Sequence, residues 1–345
     1  MTRIHLLVLL FPFVAVAQEI NPQWKFGLTA DFYLEYSNLP TSKMGQTEFD
    51  FGELEIRAEA EIVEGFQAFF NFALSDERSL HQKNYLSEIP NAWLQYQDPN
   101  FTSLIHEAGL IYPYWHRYQG LLTRFEIFGQ ASWSQVRRYG FLPEGDVGYQ
   151  GQWNLSDTGF LVFGLVNGEE NRSQEVGASK EVFLSYMAEH ESRYAGLWLS
   201  YGKVDLVDKD IENKARVLLR LQQKWGRFAL GIEGLWAQDP SVEYESDQRA
   251  EGMTFDGEPR QVVTEAGRLD LMYQLTPKQS VLIRYDHLRP DLSDKSIQSW
   301  MGALLLEERP HFSWGGFYEN TQYGDRHSSR AKQLERVRLG LRLDF

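Results

Sequence analysis

The chain has 345 residues, no cysteine, and 48 acidic against 34 basic side chains, which gives a formal net charge of −14 at pH 7. The absence of cysteine excludes thiol catalysis, a disulfide framework, Cys-ligated metals and a lipidated cysteine anchor. The acidic balance argues against nucleic acid as a partner. No Pro/Ser-rich linker or shift in composition divides the chain, so we expect a single domain after the N-terminal segment.

The first 17 residues have the features of a secretory signal peptide. Arg3 is followed by an apolar run from Leu6 to Ala17 that ends in the small-residue sequence Ala15-Val16-Ala17. The run is about a dozen residues long, whereas a membrane-spanning helix needs about 20. We therefore predict a signal peptide over residues 1–17 and a mature domain over residues 18–345, with an uncleaved anchor as the alternative.

Strand-like segments recur along the mature chain. Their polar and apolar residues alternate with a period of two, which is typical of a strand with one apolar face. We count about sixteen segments of roughly 10–14 residues, the length of a tilted transmembrane strand. They begin near residues 24, 47, 65, 88, 102, 145, 158, 179, 194, 213, 227, 261, 278, 296, 311 and 333.

The connections between these segments alternate in length. Short links, such as residues 63–65 and 276–278, are followed by long polar loops at about 38–46, 76–87, 112–144, 168–178, 203–212, 238–260, 288–295 and 322–332. Short periplasmic turns and long extracellular loops are typical of outer-membrane barrels, whereas a soluble β-sandwich has no such two-sided rhythm. We predict an all-β fold, a transmembrane antiparallel β-barrel of about 16 strands, integral to the outer membrane of a Gram-negative bacterium, with both termini periplasmic.

The last ten residues, RVRLGLRLDF, alternate strictly. Their apolar face carries Val337, Leu339, Leu341, Leu343 and Phe345, and the opposite face carries Arg336, Arg338 and Arg342. A strand this regular at a chain end needs a partner for its backbone groups, and in a bilayer a sheet satisfies all such groups only by closing. We therefore predict that this strand pairs with the first one, near residues 24–36, with its arginines facing the lumen.

The third long loop, residues 112–144, is the segment on which we expect function to depend. It has 33 residues and many apolar side chains, which an outward position would expose. We predict that it folds inward and constricts the channel. Its charged residues are Arg117, Arg124, Arg137 and Arg138 against Glu126 and Glu144, a balance of +2 in an acidic chain.

A sixteen-strand barrel is wide enough to hold an aqueous channel, and a cationic constriction in it would concentrate anions. We predict a constriction formed by Arg117, Arg124, Arg137, Arg138 and Glu126, and a lumen wall that carries Arg57, Arg216, Arg220, Arg284, Arg338 and Arg342. Two interpretations stay open. The arginines either select anions, or they pair with lumen acids such as Glu53, Glu55 and Glu59 and hold the loop in place.

Four short stretches resemble those of a known porin family. They are EAGLIYPY at residues 107–114, EGDVGYQG at 144–151, LVNG at 165–168 and IRYD at 283–286. They are similar to the corresponding strands and strand ends of the phosphate-selective porin O and P family, over most of residues 50–345. The resemblance implies a homotrimeric 16-strand diffusion pore, and the best-known members of that family select phosphate through channel arginines and lysines.

We therefore expect a diffusion porin for small hydrophilic solutes or inorganic anions, surrounded by outer-membrane lipid and lipopolysaccharide. No enzyme, cofactor or metal site is predicted, because the chain lacks G-x-S-x-G and H-E-x-x-H motifs. The acids at 205–212 miss the EF-hand spacing and fit a solvated loop. The alternative function is a structural or adhesion barrel with a plugged lumen and little conductance.

Overall fold

The computed structural model describes residues 23–37, 46–78, 83–117, 125, 141–142, 145–167, 180–204, 212–240, 261–291, 296–309, 311–324 and 333–344. These residues form sixteen strands and one short helix. The predicted signal peptide, most of the third long loop and Phe345 lie outside the described residues.

The strands have 8 to 18 residues each, and the helix has one turn. In chain order they are β1 (Gln23–Ser37), β2 (Gln46–Val63), β3 (Phe66–Arg78), β4 (Lys83–Gln97), β5 (Leu104–Ile111), α1 (Tyr114–Arg117), β6 (Asp146–Ser156), β7 (Gly159–Val166), β8 (Lys180–His190), β9 (Arg193–Val204), β10 (Glu212–Trp225), β11 (Phe228–Pro240), β12 (Gln261–Thr276), β13 (Gln279–Pro290), β14 (Ile297–Arg309), β15 (Phe312–Tyr323) and β16 (Gln333–Asp344).

Every strand pairs with its neighbours in sequence, and β16 pairs with β1, so that the sheet is a closed antiparallel barrel. The closing register runs from Thr29 opposite Asp344 to Ser37 opposite Arg336. The predicted fold class, strand number and closure by the C-terminal strand are therefore confirmed.

The tight connections lie at the same end of the barrel as both described chain ends. Gly65 shows what such a turn requires, because its φ is +78° and a Cβ there would collide with the carbonyl oxygen of Gln97. With glycine at this position the two backbones come close enough to bond, and the backbone N–H of Gln97 donates a 2.8 Å hydrogen bond to the Gly65 carbonyl oxygen. Glycine is the residue that adopts this conformation without strain.

One predicted boundary is wrong. β4 begins at Lys83 and not near residue 88, which shortens the second long loop from 76–87 to 79–82. The register with β3 shifts between Asn71 and Ala73, and the extra residue falls on β4 beside Pro90. Proline has no backbone N–H and is tolerated in a strand at such a bulge, and the bulge interrupts the alternation that the prediction relied on.

The outward face of the barrel is apolar. Leu219, Ile283 and Leu339 are 44–55% exposed on strands β10, β13 and β16. Aromatic rings lie toward both ends of this apolar band, with Trp225 and Phe228 near the tight turns and Trp236 and Trp300 near the long connections. An apolar band between two aromatic girdles is the surface that a transmembrane barrel presents to lipid. No helix among the described residues is long and apolar enough to cross a membrane.

Candidate functional site

The inner face of the barrel carries the polar side chains. On β13, Arg284 and Asp286 are each 1% exposed, whereas Ile283, the residue before Arg284, faces outward and is 51% exposed. The same alternation places Arg338 inward on β16 between the outward residues Val337 and Leu339. The inward arginines predicted from the sequence therefore lie on the inner wall.

The described residues of the third long loop pack against this wall. The ring of Trp115 is fully buried, and the guanidinium of Arg220 lies over it at 4.6 Å and donates a 3.3 Å hydrogen bond to its carbonyl oxygen. Arg216 likewise donates to the carbonyl oxygen of Phe141. Two wall arginines therefore hold the beginning and the end of this loop against β10.

Apolar packing supports the same placement. Tyr114, Trp115, Phe141 and Leu142 share one buried cluster with inward residues of strands β7 to β14. Phe125 is fully buried in a second cluster. Its members include Ala229, Met272, Leu282, Met301 and Phe317.

Arg117 is the one described residue of the predicted constriction. Its two terminal nitrogens each donate a 2.8 Å hydrogen bond to the Glu107 carboxylate on β5, which is 1% exposed. Its guanidinium also lies over the rings of Trp93, at 4.2 Å, and Tyr114, at 4.5 Å. A bidentate pair with two aromatic contacts fixes the side chain, and we conclude that Arg117 anchors α1 to the wall.

Each predicted wall arginine is paired with an acid on a neighbouring strand or on its own strand. The pairs are Arg57–Glu55, Arg216–Asp239, Arg220–Glu233, Arg284–Asp270, Arg338–Glu35 and Arg342–Asp31. Register brings most of these partners together, since residues directly opposite on antiparallel strands share a face. Glu55 is among the partner acids predicted from the sequence, whereas the other five acids were not predicted.

The inner wall also holds pairs that were not predicted from the sequence. Arg268 donates a 2.5 Å hydrogen bond to Asp286 beside the Arg284–Asp270 pair, and Lys214 lies 2.7 Å from Glu181. The alternation of β10 and β12 placed these residues on the polar face, but pairing depends on the register between strands. Arg124, Arg137, Arg138 and Glu126 of the predicted constriction lie outside the described residues.

A different sector of the inner wall is open to solvent. On β1 and β2 the inward residues Lys25, Arg57, Glu59 and Glu61 are exposed, and the side chain of Arg57 reaches 52% exposure. In contrast, most of the inward residues of strands β8 to β15 are buried. The open sector therefore lies at the tight-turn end of β1 and β2, because the inward residues farther along β1, which are Thr29, Asp31, Tyr33 and Glu35, are only 2–8% exposed.

Beside the exposed charges, β3 and β4 contribute aromatic and carboxamide side chains. The Phe69 and Trp93 rings stack at 4.1 Å, and the Gln95 amide donates a 3.4 Å hydrogen bond to the Gln67 side chain. All four side chains are partly exposed. The open sector thus combines both charge signs with neutral hydrogen-bonding groups, a lining that suits hydrated solutes. No group of His, Cys, Asp and Glu side chains among the described residues could hold a metal ion.

Neither family models nor curated protein sequences match this chain. The resemblance to the phosphate-selective porin O and P family is therefore not confirmed.

Solved structures match the fold across nearly the whole chain. An anion-selective porin from Comamonas acidovorans superposes with a TM-score of 0.63 at 11% identity, covering 94% of this chain and 100% of that one. OmpF of Salmonella typhi in complex with daunomycin superposes with a TM-score of 0.66 at 10% identity, covering 94% of this chain and 98% of that one. A trimer form of the outer-membrane protein OmpT of Vibrio cholerae superposes with a TM-score of 0.60 at 11% identity, covering 93% of this chain and 99% of that one. The chain is thus similar in fold to bacterial outer-membrane porins.

Proposed function

We propose that residues 18–345 form an outer-membrane diffusion channel for small hydrophilic solutes, after removal of residues 1–17 as a signal peptide. The observation that carries the proposal is a closed barrel whose outer face is apolar and whose inner face keeps Lys25, Arg57, Glu59 and Glu61 exposed. Exposed charges on the inside of a lipid-facing barrel indicate water in the lumen. The similarity to porin structures supports the same function and an integral outer-membrane location.

The solute path follows the open sector on β1 to β4. The wall from β10 to β14 is covered, since Leu218, Leu282 and Leu305 on its inner face are fully buried. Solutes therefore meet the β1–β2 charges, the Phe69–Trp93 stack and the carboxamides of Gln67 and Gln95. The paired arginines on β10 to β13 belong to this covered wall and do not contact the solute path.

Charge selectivity is the narrower part of the proposal. Wall arginines that are each neutralised by an acid contribute little long-range potential. In the open sector Lys25 and Arg57 face Glu55, Glu59 and Glu61, a net charge of −1 among these five residues. A preference for anions or phosphate therefore depends on Arg124, Arg137 and Arg138.

The quaternary state is proposed by similarity. A trimer form is known for the OmpT structure that shares the fold, and we propose a homotrimer that sits among outer-membrane lipid and lipopolysaccharide.

Single-channel recording in a planar bilayer tests the function. The purified protein should give discrete conductance steps, and the reversal potential in a salt gradient should report an anion preference. Replacing Arg124, Arg137 and Arg138 together by serine should shift that potential toward cations and leave the channel open. If the wild-type pore already prefers cations, the anion preference is wrong and the channel function stands.

A barrel with a plugged lumen is the second candidate function, because a plug would also bury the inner wall from β8 to β15. A protein that folds, inserts and gives no conductance steps would establish it.

A further inference from the structure

A groove opens on the outward face of the barrel at the tight-turn end of strands β8 to β11. Its volume is about 440 Å³, within the range of roughly 300–1,000 Å³ that small-molecule sites occupy. Most of its lining residues face outward, including Ala188, Ala195, Leu221, Leu230 and Ile232. The groove therefore belongs to the lipid-facing surface and is separate from the channel.

Small residues in register form the floor of the groove. Ala188 lies opposite Ala195, and both residues line the groove. The next residues in this row are Leu221 and Ile232, whose larger side chains form one wall. Because small side chains on two adjacent strands are followed by large ones, the surface has a depression with an apolar floor and wall.

The mouth of the groove is polar and lies at the turns. Arg193 and His190 are paired across the β8–β9 turn, and both are exposed. Thr158 and Gln223 complete this edge. Glu189 also lines the groove and Glu191 lies in the same turn, and both are exposed, so the mouth offers one guanidinium with two carboxylates within a few residues of it.

We propose that this groove is a binding site for a membrane phospholipid. One acyl chain lies along Ala188 and Ala195 against Leu221 and Ile232, and the headgroup phosphate contacts Arg193. Burial of apolar surface favours the chain, and the planar donor fork of arginine matches the geometry of a phosphate. The nearby carboxylate of Glu191 suits the ammonium of a zwitterionic headgroup.

The assignment to phospholipid, and not to lipopolysaccharide, rests on the proposed outer-membrane orientation. The groove is at the tight-turn end, which is the periplasmic end in that orientation, and the periplasmic leaflet of an outer membrane consists of phospholipid. A second copy of the chain is the competing occupant of the groove.

The test measures phospholipid bound to the purified barrel. Native mass spectrometry after mild detergent extraction, followed by titration with dioleoylphosphatidylethanolamine, should show one tightly retained phospholipid. Ala195→Leu fills the floor and Arg193→Gln removes the phosphate donor, and each should weaken binding roughly tenfold. The matched control Ala215→Leu enlarges an outward alanine on β10, outside the groove, and should bind as the wild type does.

Unchanged lipid binding in both groove variants would overturn the inference. A loss of trimer in the Ala195→Leu protein with unchanged lipid would assign the groove to contact between protomers and would overturn it as well. Heat-modifiable migration on gels confirms folding, and Arg193→Gln, at an exposed turn, keeps the test valid if Ala195→Leu does not fold. Conductance of the same preparations separates the two proposals, because a barrel that conducts without retaining lipid contradicts only this one.

Discussion

Replacement of Arg284 by leucine should destabilise the barrel far more than the loss of a surface ion pair. The Arg284 Nε atom donates a 2.6 Å hydrogen bond to Asp270, and the two side chains are 0% and 3% exposed. Removal of one partner from a buried pair leaves the other charge without compensation, at a cost of about 3–5 kcal/mol. Arg268 is next to Asp270 on the same face of β12 and partly compensates its charge, so we expect a value near 3 kcal/mol, the lower end of that range.

The assay is a urea titration of the folded protein in lipid vesicles, followed by tryptophan fluorescence. Arg57→Leu is the matched control, because it removes an arginine from a pair whose side chains are 52% and 17% exposed, and exposed pairs contribute about 0–1 kcal/mol. The double variant Arg284→Leu/Asp270→Leu should recover most of the loss, since it removes both charges. Equal losses for Arg284→Leu and Arg57→Leu, or a double variant less stable than the single one, would refute the reasoning.

Three further changes test other parts of the structure with the same titration. Leu339→Arg puts a charge on the lipid face, where Leu339 is 55% exposed, and should cost about 2–4 kcal/mol; a neutral result would reverse the assignment of faces. Gly65→Ala should lose about 1–3 kcal/mol through strain at positive φ and collision with Gln97, and more than Gly226→Ala, where φ is also positive and a Cβ meets nothing within 4 Å. Glu107→Gln should lower stability by about 1.5–3 kcal/mol, because Arg117 loses its charged acceptor, and channel recordings of this variant should become noisier if the pair holds α1 in place; quiet recordings would argue against that anchoring role.

The architecture could be predicted from the sequence because the strands of a membrane barrel alternate polar and apolar residues with a period of two. Strict alternation in Arg336–Phe345 indicated both the lipid face and the need for a closing partner, and β16 does pair with β1. The prediction of the start of β4 was wrong because the alternation is interrupted at Pro90, where a bulge changes which residues face inward.

The interior was harder to predict, because the sequence places an arginine on the polar face without naming its partner. Arg338 meets Glu35 from the other end of the chain, and Arg220 meets both Glu233 and the Trp115 carbonyl oxygen. These contacts depend on strand register and on how the third loop packs, and neither has a local signature. The exposed charges of β2 did have one, since the alternating run from Glu53 to Ile62 already separated its polar face.

The location of the solute path is the central claim, and cysteine modification during channel recording tests it most directly. The chain has no native cysteine, so a single introduced thiol is the only target for a charged methanethiosulfonate reagent. Glu59→Cys lies in the exposed sector of β2, whereas Ser299→Cys lies on the inner face of β14 at a position that is 1% exposed. The reagent should reduce conductance in steps in the Glu59→Cys channel and leave the Ser299→Cys channel unchanged. Block of the Ser299→Cys channel, with no effect on the Glu59→Cys channel, would place the solute path along β14 and contradict the proposed path along β1 to β4.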